Sequence, residues 1–424
     1  MRYFALLRPR AARASVAVGG LGGEFRTVAL ATLALEFALG IQRGVYPNFV
    51  AEVLGIAPDQ LGAVESIREI PGLLTVVLGA AAVFFRQSTF TALTLLVTAL
   101  GLGLYALTHT LWQLVVATVV VSIGFHLFYP LQSAMVLRIA TPQERATRLG
   151  QVNSVTAAAS LLAMGTVLLL TRGLGFCNYP AFFALAAGAA CAGALVLLAR
   201  RGDGGGRLRR PLVFRRAYMS YYLLTFLAGS RRHMYMTFAA FALVKIYHTP
   251  LTVMMTLLAI SNVVAILTRP LLGQLIDRWG EQRSLMLNYA LVVPLFVAYG
   301  FLPYPRILYG VYILDSALFG FEIAISSHLG KIARPEELAS TLAAGGTVNH
   351  IAGVLVPFLG GLLWAAWGPG ATFLGGALLG LASLWYSAGL SAVQARSAAG
   401  LAPSPRTTGE DPLAGRPPAR SAGP

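Results

Sequence analysis

Charge is what this sequence has least of. Only 11% of its 424 residues are Asp, Glu, Lys or Arg, against about 25% in an ordinary soluble domain, so ionised groups cannot cover its surface in water. Acidic residues are the scarcer kind, 16 against 32 basic. Cysteine is nearly absent too. The two present, Cys177 and Cys191, fall in one helical run, where they lie about 21 Å apart, beyond the reach of a disulfide, and they are expected to be packing residues. Period-two alternation, which a membrane barrel requires, is missing, as are a helical zinc spacing, a phosphate loop and a nucleophile elbow. The glycine run at 202–206 carries no lysine. Together these absences exclude a soluble enzyme, a disordered chain and a barrel, and no cofactor or metal is expected.

What is present is apolar length. Hydrophobic residues make up 57% of the chain, with 45 Gly and 22 Phe, and a helix that crosses a bilayer needs about 20 mostly apolar residues. Twelve runs qualify, at 27–50, 60–85, 88–108, 112–137, 148–171, 177–199, 218–246, 251–276, 284–302, 307–330, 341–365 and 370–392. The formal net charge of +16 invites a nucleic-acid reading, but its distribution decides against one. With the amino terminus inside, 24 basic residues fall on the inner side and three (Arg172, Lys245, Arg306) on the outer, as the positive-inside rule demands. The excess is a topology signal suited to an anionic inner leaflet. A multi-pass protein of the cell (inner) membrane with both termini cytoplasmic is expected, embedded in lipid and without a nucleic-acid partner. No cleaved signal peptide is expected in the Arg-rich amino terminus.

The chain repeats. A shift of 189 lays Gly40, Arg43, Tyr46, Phe49 and Ala51 on Gly229, Arg232, Tyr235, Phe238 and Ala240. A shift of 193 lays Ile139, Ala140, Pro142, Glu144, Ala146 and Leu149 on Ile332, Ala333, Pro335, Glu337, Ala339 and Leu342. Parallel six-span repeats imply two bundles with a solute site between them. The expected fold is an all-α integral membrane protein of twelve transmembrane helices in two six-helix pseudo-symmetric bundles, 27–199 and 218–393. A cytoplasmic tail (1–26), a cytoplasmic linker (200–217) and a disordered tail (394–424) complete the expected layout.

The loop after span eight holds Gly273, Asp277, Arg278, Gly280 and Arg283, a pattern that resembles the cytoplasmic loop signature of the major facilitator superfamily. The resemblance implies a cytoplasmic gate in which Asp277 caps a neighbouring helix terminus and Arg278 latches that side. In the first half Gly79 keeps its place, but Val83 stands where the aspartate would be. Gly353, Pro357, Gly360 and Gly361 echo a glycine/proline motif of antiporters, though in span eleven rather than span five.

Ten ionisable groups lie inside the runs: Arg43, Arg68, Arg231, Arg232 and Arg269 against Glu36, Glu65, Glu69, Asp315 and Glu322. Each costs about 2.5–3.5 kcal/mol near a helix centre, so they must pair or face a wet cavity. Resemblance to the superfamily places spans one, four, seven and ten around a central cavity. Adjacent helical residues diverge by about 100°, so Arg231 and Arg232 point apart, and the repeat matches Arg232 to Arg43. That pair suits a bidentate anion and resembles the paired arginines of the organophosphate:phosphate antiporters. Arg43 could instead pair with Glu65 and Glu69 of span two. Tyr46, Tyr235 and Asn349 are candidate polar lining. Glu36, His126, Asp315 and Glu322 are candidate proton-coupling groups, and Asp315 and Glu322 could equally neutralise Arg231 and Arg232. Arg269 reads as a snorkelling or gate residue. The function expected is secondary active transport of a small, anionic solute by alternating access, coupled to a proton or counter-solute, by a monomer that is not an enzyme. Proton-coupled efflux of amphipathic compounds, or a transport-inactive sensor with the same fold, are the alternatives.

Overall fold

A computed structural model describes residues 23–75, 79, 84–141, 143–199 and 214–390. The expected tails, apart from 23–26, and the linker, apart from 214–217, lie outside the described residues, as does Val83. The described residues are helical, without a strand. The first half comprises α1 (Gly23–Asn48), α2 (Pro58–Leu73), α3 (Gln87–Ala106), α4 (Leu111–Ile139), α5 (Arg145–Leu168) and α6 (Tyr179–Leu198). The second comprises α7 (Met219–Met234), α8 (Ala240–Lys245), α9 (Leu251–Phe301), α10 (Pro305–Leu318), α11 (Ile323–Ile332), α12 (Pro335–Trp367) and α13 (Pro369–Ala388). Residues 23–26, expected in the tail, are the first turn of α1, and 216–218, expected at the linker's end, form a 3₁₀ turn leading into α7.

Local chemistry sets the boundaries. Thr110 caps α4, its Oγ accepting the Gln113 amide at 3.3 Å while the Gln113 side chain accepts the Thr110 amide at 3.1 Å, a reciprocal capping box. Proline occupies the first helical position of α2, α10, α12 and α13, where its missing N–H costs nothing. α9 is two crossings in one: Gly280, with φ 81° and ψ 165°, turns the chain between spans eight and nine, a conformation glycine adopts without a Cβ clash. Among the described residues nine helices are long and apolar enough to cross a membrane. Counting α9 twice, with α2 and the interrupted α7–α8 segment, gives twelve crossings.

α1 packs on α5 and α6, and α3 on α4 and α6; in the second half α9 packs on α10 and α13, and α7 on α12 and α13. The outward surface is apolar, with exposed Trp112, Trp367 and Trp385 near helix ends, the interfacial positions tryptophan favours. Cys177 and Cys191 are exposed, not packed as expected: Cys177 precedes α6 rather than lying in it, and Cys191 falls on the α6 face turned away from α1 and α3.

The halves meet chiefly through α2 on α12 and α5 on α9. Near the end with few basic residues, the Asn48 side-chain amide donates to the Thr249 carbonyl at 3.0 Å. A Cβ on Gly361 would lie 2.7 Å from the Pro58 carbonyl oxygen, so α2 and α12 approach backbone to backbone there, as small residues permit.

Candidate functional site

Two adjoining cavities lie along α7, the larger reaching Arg43 of the first half and the smaller lined by the second half. The larger, 700 Å³, is lined by Arg43 of α1, Arg232, Asn262 and Arg269 of α9, Phe319 and Glu322 among others; the smaller, 230 Å³, includes Tyr221, Arg232, Glu322 and Asn349. Arg232 and Glu322 belong to both walls. They form an ion pair, so one salt bridge partitions the two spaces.

The helical period of α7 turns the two adjacent arginines about 100° apart, with both guanidinium groups near the Phe319 ring. Arg231 is buried and donates to Asp315 Oδ1 at 2.5 Å and to the Asp315 carbonyl at 2.9 Å, its guanidinium 4.2 Å from the centre of the Phe319 ring. Arg232 turns into the cavity with a side chain 39% exposed. Both carboxylates of α10 and the turn after it thus neutralise the arginines of α7. Asp315 is buried away from either cavity, whereas Glu322 faces both.

Arg43 also faces the larger cavity, its side chain 46% exposed. It does not pair with Glu65 or Glu69: those two hold Arg68, at 2.8 and 3.1 Å. Arg43 reaches back two turns to Glu36 at 3.0 Å, and Glu36 also accepts the Tyr129 hydroxyl at 2.8 Å. Glu36 is therefore buried behind the cavity wall. Beyond Arg43 and Arg232 the spans loosen into π-helical turns, Phe49–Val53 and Tyr235–Ala239, irregularities frequent at functional sites.

The remaining candidates separate. Asn349 lines the smaller cavity. Tyr46 packs on Tyr105 and Tyr235 on Tyr312 and Phe319, and neither lines either cavity; at this depth their rings fill the bundle interiors. His126 lies apart from both cavities against Ser122 and Glu69. Midway along α9 Gly280 makes the bend while Gly273 stays within regular helix, and Asp277, Arg278 and Arg283 are exposed. Among the described residues no hydrogen bond or ion pair engages Asp277 or Arg278. Two features escaped sequence reasoning. Arg269 lines the larger cavity, and His350 meets Glu69 across the halves at 2.8 Å.

The Major Facilitator Superfamily model matches residues 28–329 and, again, 221–418, the second match starting in span seven. No curated protein matches the chain. Among solved structures, the nucleoside transporter NupG superposes with a TM-score of 0.71 at 14% identity, covering 87% of this chain and 98% of that one. A bacterial homologue of the human lysosomal transporter Spinster, in an inward-facing and occupied conformation, gives 0.66 at 13% identity, with 88% and 96% covered. The peptide transporter POT in complex with sulfate gives 0.68 at 17% identity, with 88% and 94% covered. With a family model spanning both six-helix halves and a fold shared with these structures, the chain belongs to the Major Facilitator Superfamily.

Proposed function

We propose that this protein is a secondary transporter for a small anionic solute, which binds in the 700 Å³ cavity between Arg43, Arg232 and Arg269. The observation that carries this reading is the charge of the lining. Three guanidinium groups face the cavity, and Glu322 is the one carboxylate among the described lining residues. Arginine is suited to bidentate recognition of carboxylate or phosphate, and the volume falls within the range of small-molecule sites, roughly 300–1,000 Å³.

Each principal arginine is held by a carboxylate until substrate arrives: Arg43 by Glu36 and Arg232 by Glu322. An anion entering the cavity competes with Glu322 for Arg232. Protonating Glu322 removes that competition, so proton and anion bind together. Glu322 faces Arg232 and Tyr221, with Arg269 across the larger cavity and Arg231 behind Phe319. Glu36 plays the same part toward Arg43. Asp315 stays with Arg231 and holds span seven to span ten.

Alternating access is supported by where the halves touch. The Asn48–Thr249 bond and the Gly62–Gly361 approach close one end, while Asp277 and Arg278 are disengaged at the other. The basic loops lie at that second end, which the positive-inside rule assigns to the cytoplasm; the state is inward-facing in a cell membrane. Proteoliposome uptake on a panel of carboxylates and phosphates, beside cationic dyes, tests the reading. Anion uptake that collapses in Arg232→Gln and rises with an inward proton gradient supports it. Dye transport with no anion uptake overturns it.

A further inference from the structure

The transport reading leaves one cluster of ligating side chains unused. Glu69 of α2, His126 of α4 and His350 of α12 turn their ligand atoms toward one another, all within 4.8 Å. Glu69 Oε2 lies 2.8 Å from His350 Nδ1 and 3.9 Å from His126 Nε2, and the two imidazoles meet edge to face with centroids 4.8 Å apart. Arg68 engages the other oxygen, Oε1, at 3.1 Å, which leaves Oε2 to the imidazoles. His126 Nδ1 bonds Ser122, 2.9 Å from its hydroxyl and 3.0 Å from its carbonyl. Metal-binding histidines are commonly oriented in this way, with the far ring nitrogen free to ligate.

A third imidazole lies beside the same spot. His233 of α7 is 4% exposed, and its Nε2 has no hydrogen-bond partner. A Cβ on Gly353 would lie 2.8 Å from that nitrogen and 2.7 Å from Glu69 Cγ; a Cβ on Gly72 would lie 2.6 Å from His350 Nδ1. Two glycines, one from each half, thus keep the space between the four groups open. An unsatisfied buried nitrogen is costly, and here it faces a carboxylate and two imidazoles.

We propose that Glu69, His126, His350 and His233 form a site for a divalent transition cation of the Zn²⁺ class. Three imidazoles and one carboxylate are a donor set Zn²⁺ favours. Tetrahedral coordination at about 2.0–2.2 Å needs ligand atoms about 3.3 Å apart; the Glu69, His126 and His350 atoms, all within 4.8 Å of one another, reach it by side-chain rotation of half-buried His350, and rotation of His233 brings in the fourth ligand. Glu65, Arg68 and Glu69 together carry one negative charge, so the cation is attracted. The ligands come from α2 and α4 on one side and α7 and α12 on the other. A bound ion therefore staples the two halves and holds the state seen here.

Calorimetric titration of ZnCl₂ into chelator-treated protein in detergent tests the site. The expected result is one Zn²⁺ per chain, no response to Mg²⁺, at least tenfold weaker binding in His350→Ala and in His126→Ala, and unchanged binding in Cys177→Ser. Zn²⁺ affinity that stays at the unaltered protein's value in both histidine variants, or that disappears in Cys177→Ser, overturns the proposal. Should the histidine variants fail to give a single folded species, Co²⁺ loading of the unaltered protein decides. Intense visible d–d bands of tetrahedral Co²⁺ support the site, and their absence overturns it.

Discussion

Arg232 and Glu322 close a salt bridge that forms the wall between the 700 and 230 Å³ cavities. The pair sits where a solute would have to pass or bind, so its strength sets the competition between substrate and protein for the guanidinium. Glu322→Gln keeps the shape and removes the charge. Uptake by this variant is expected to lose its dependence on the proton gradient, while counterflow exchange of the anion persists or increases. Arg232→Gln is expected to weaken both by at least tenfold, since a charge-assisted bond is worth about 1.5–3 kcal/mol. Parallel uptake and counterflow in proteoliposomes separate the two effects. Equal loss of both in Glu322→Gln would count against the coupling role.

The neighbouring pair has a different fate. Arg231 and Asp315 are 2% and 0% exposed, and Arg231 Nε and Nη1 and Asp315 Oδ2 have no other partner. Removing one member strands a buried charge, at about 3–5 kcal/mol, whereas replacing both by apolar residues of similar volume is tolerated. Asp315→Asn is expected to lower the melting temperature in detergent markedly. The double change Arg231→Met with Asp315→Leu should recover most of the loss. Fluorescence-detected size-exclusion after heating measures both. Recovery of folding with transport retained would assign the pair a purely structural role.

The halves and the span count were legible because they rest on long-range statistics of composition, loop charge and a repeat. The divergent directions of Arg231 and Arg232 followed from helical period alone. What the sequence could not reveal is which partner wins when several are in reach. Arg43 lies at a depth similar to Glu65 and Glu69, yet Arg68 occupies both, and Glu36 two turns away takes Arg43. Metal spacing was invisible for a related reason: Glu69, His126, His233 and His350 lie on four spans, so no local motif carries them. Tyr46 and Tyr235 show the reverse error, since a repeated polar residue can be repeated for packing, and both rings pack against other aromatics.

Asp277 and Arg278, beside the bend at Gly280, make no hydrogen bond or ion pair among the described residues, and on the proposed reading the opposite state engages them. The state described here leaves both exposed, so on the proposed reading removing either costs this state nothing and costs the opposite state its latch. An exposed charge pair is worth up to about 1 kcal/mol, about a fivefold change in population. Arg278→Gln is expected to shift the equilibrium toward the state described here. Distances between spin labels at the ends of α4 and α11 would show a larger share of the wide population. An unchanged distribution would remove Arg278 from the gate.

Closure at the other end depends on the contact of Gly62 with Gly361, where α2 and α12 touch without side chains between them. A Cβ on Gly361 would lie 3.0 Å from Asp59 Cα as well as 2.7 Å from the Pro58 carbonyl, and both are backbone atoms that cannot rotate aside. Gly361→Val therefore forces the helices apart in this state only, because alternating access separates them in the other. The variant is expected to populate the opposite state, raising the reactivity of a cysteine placed at Asn48 toward a membrane-impermeant thiol reagent several-fold. Reporters at Asn48 suit this test because its side chain bridges to Thr249 at 3.0 Å and becomes accessible only when the halves part. If reactivity stays low while Gly361→Val folds normally, the close approach of α2 and α12 is not what holds that end shut.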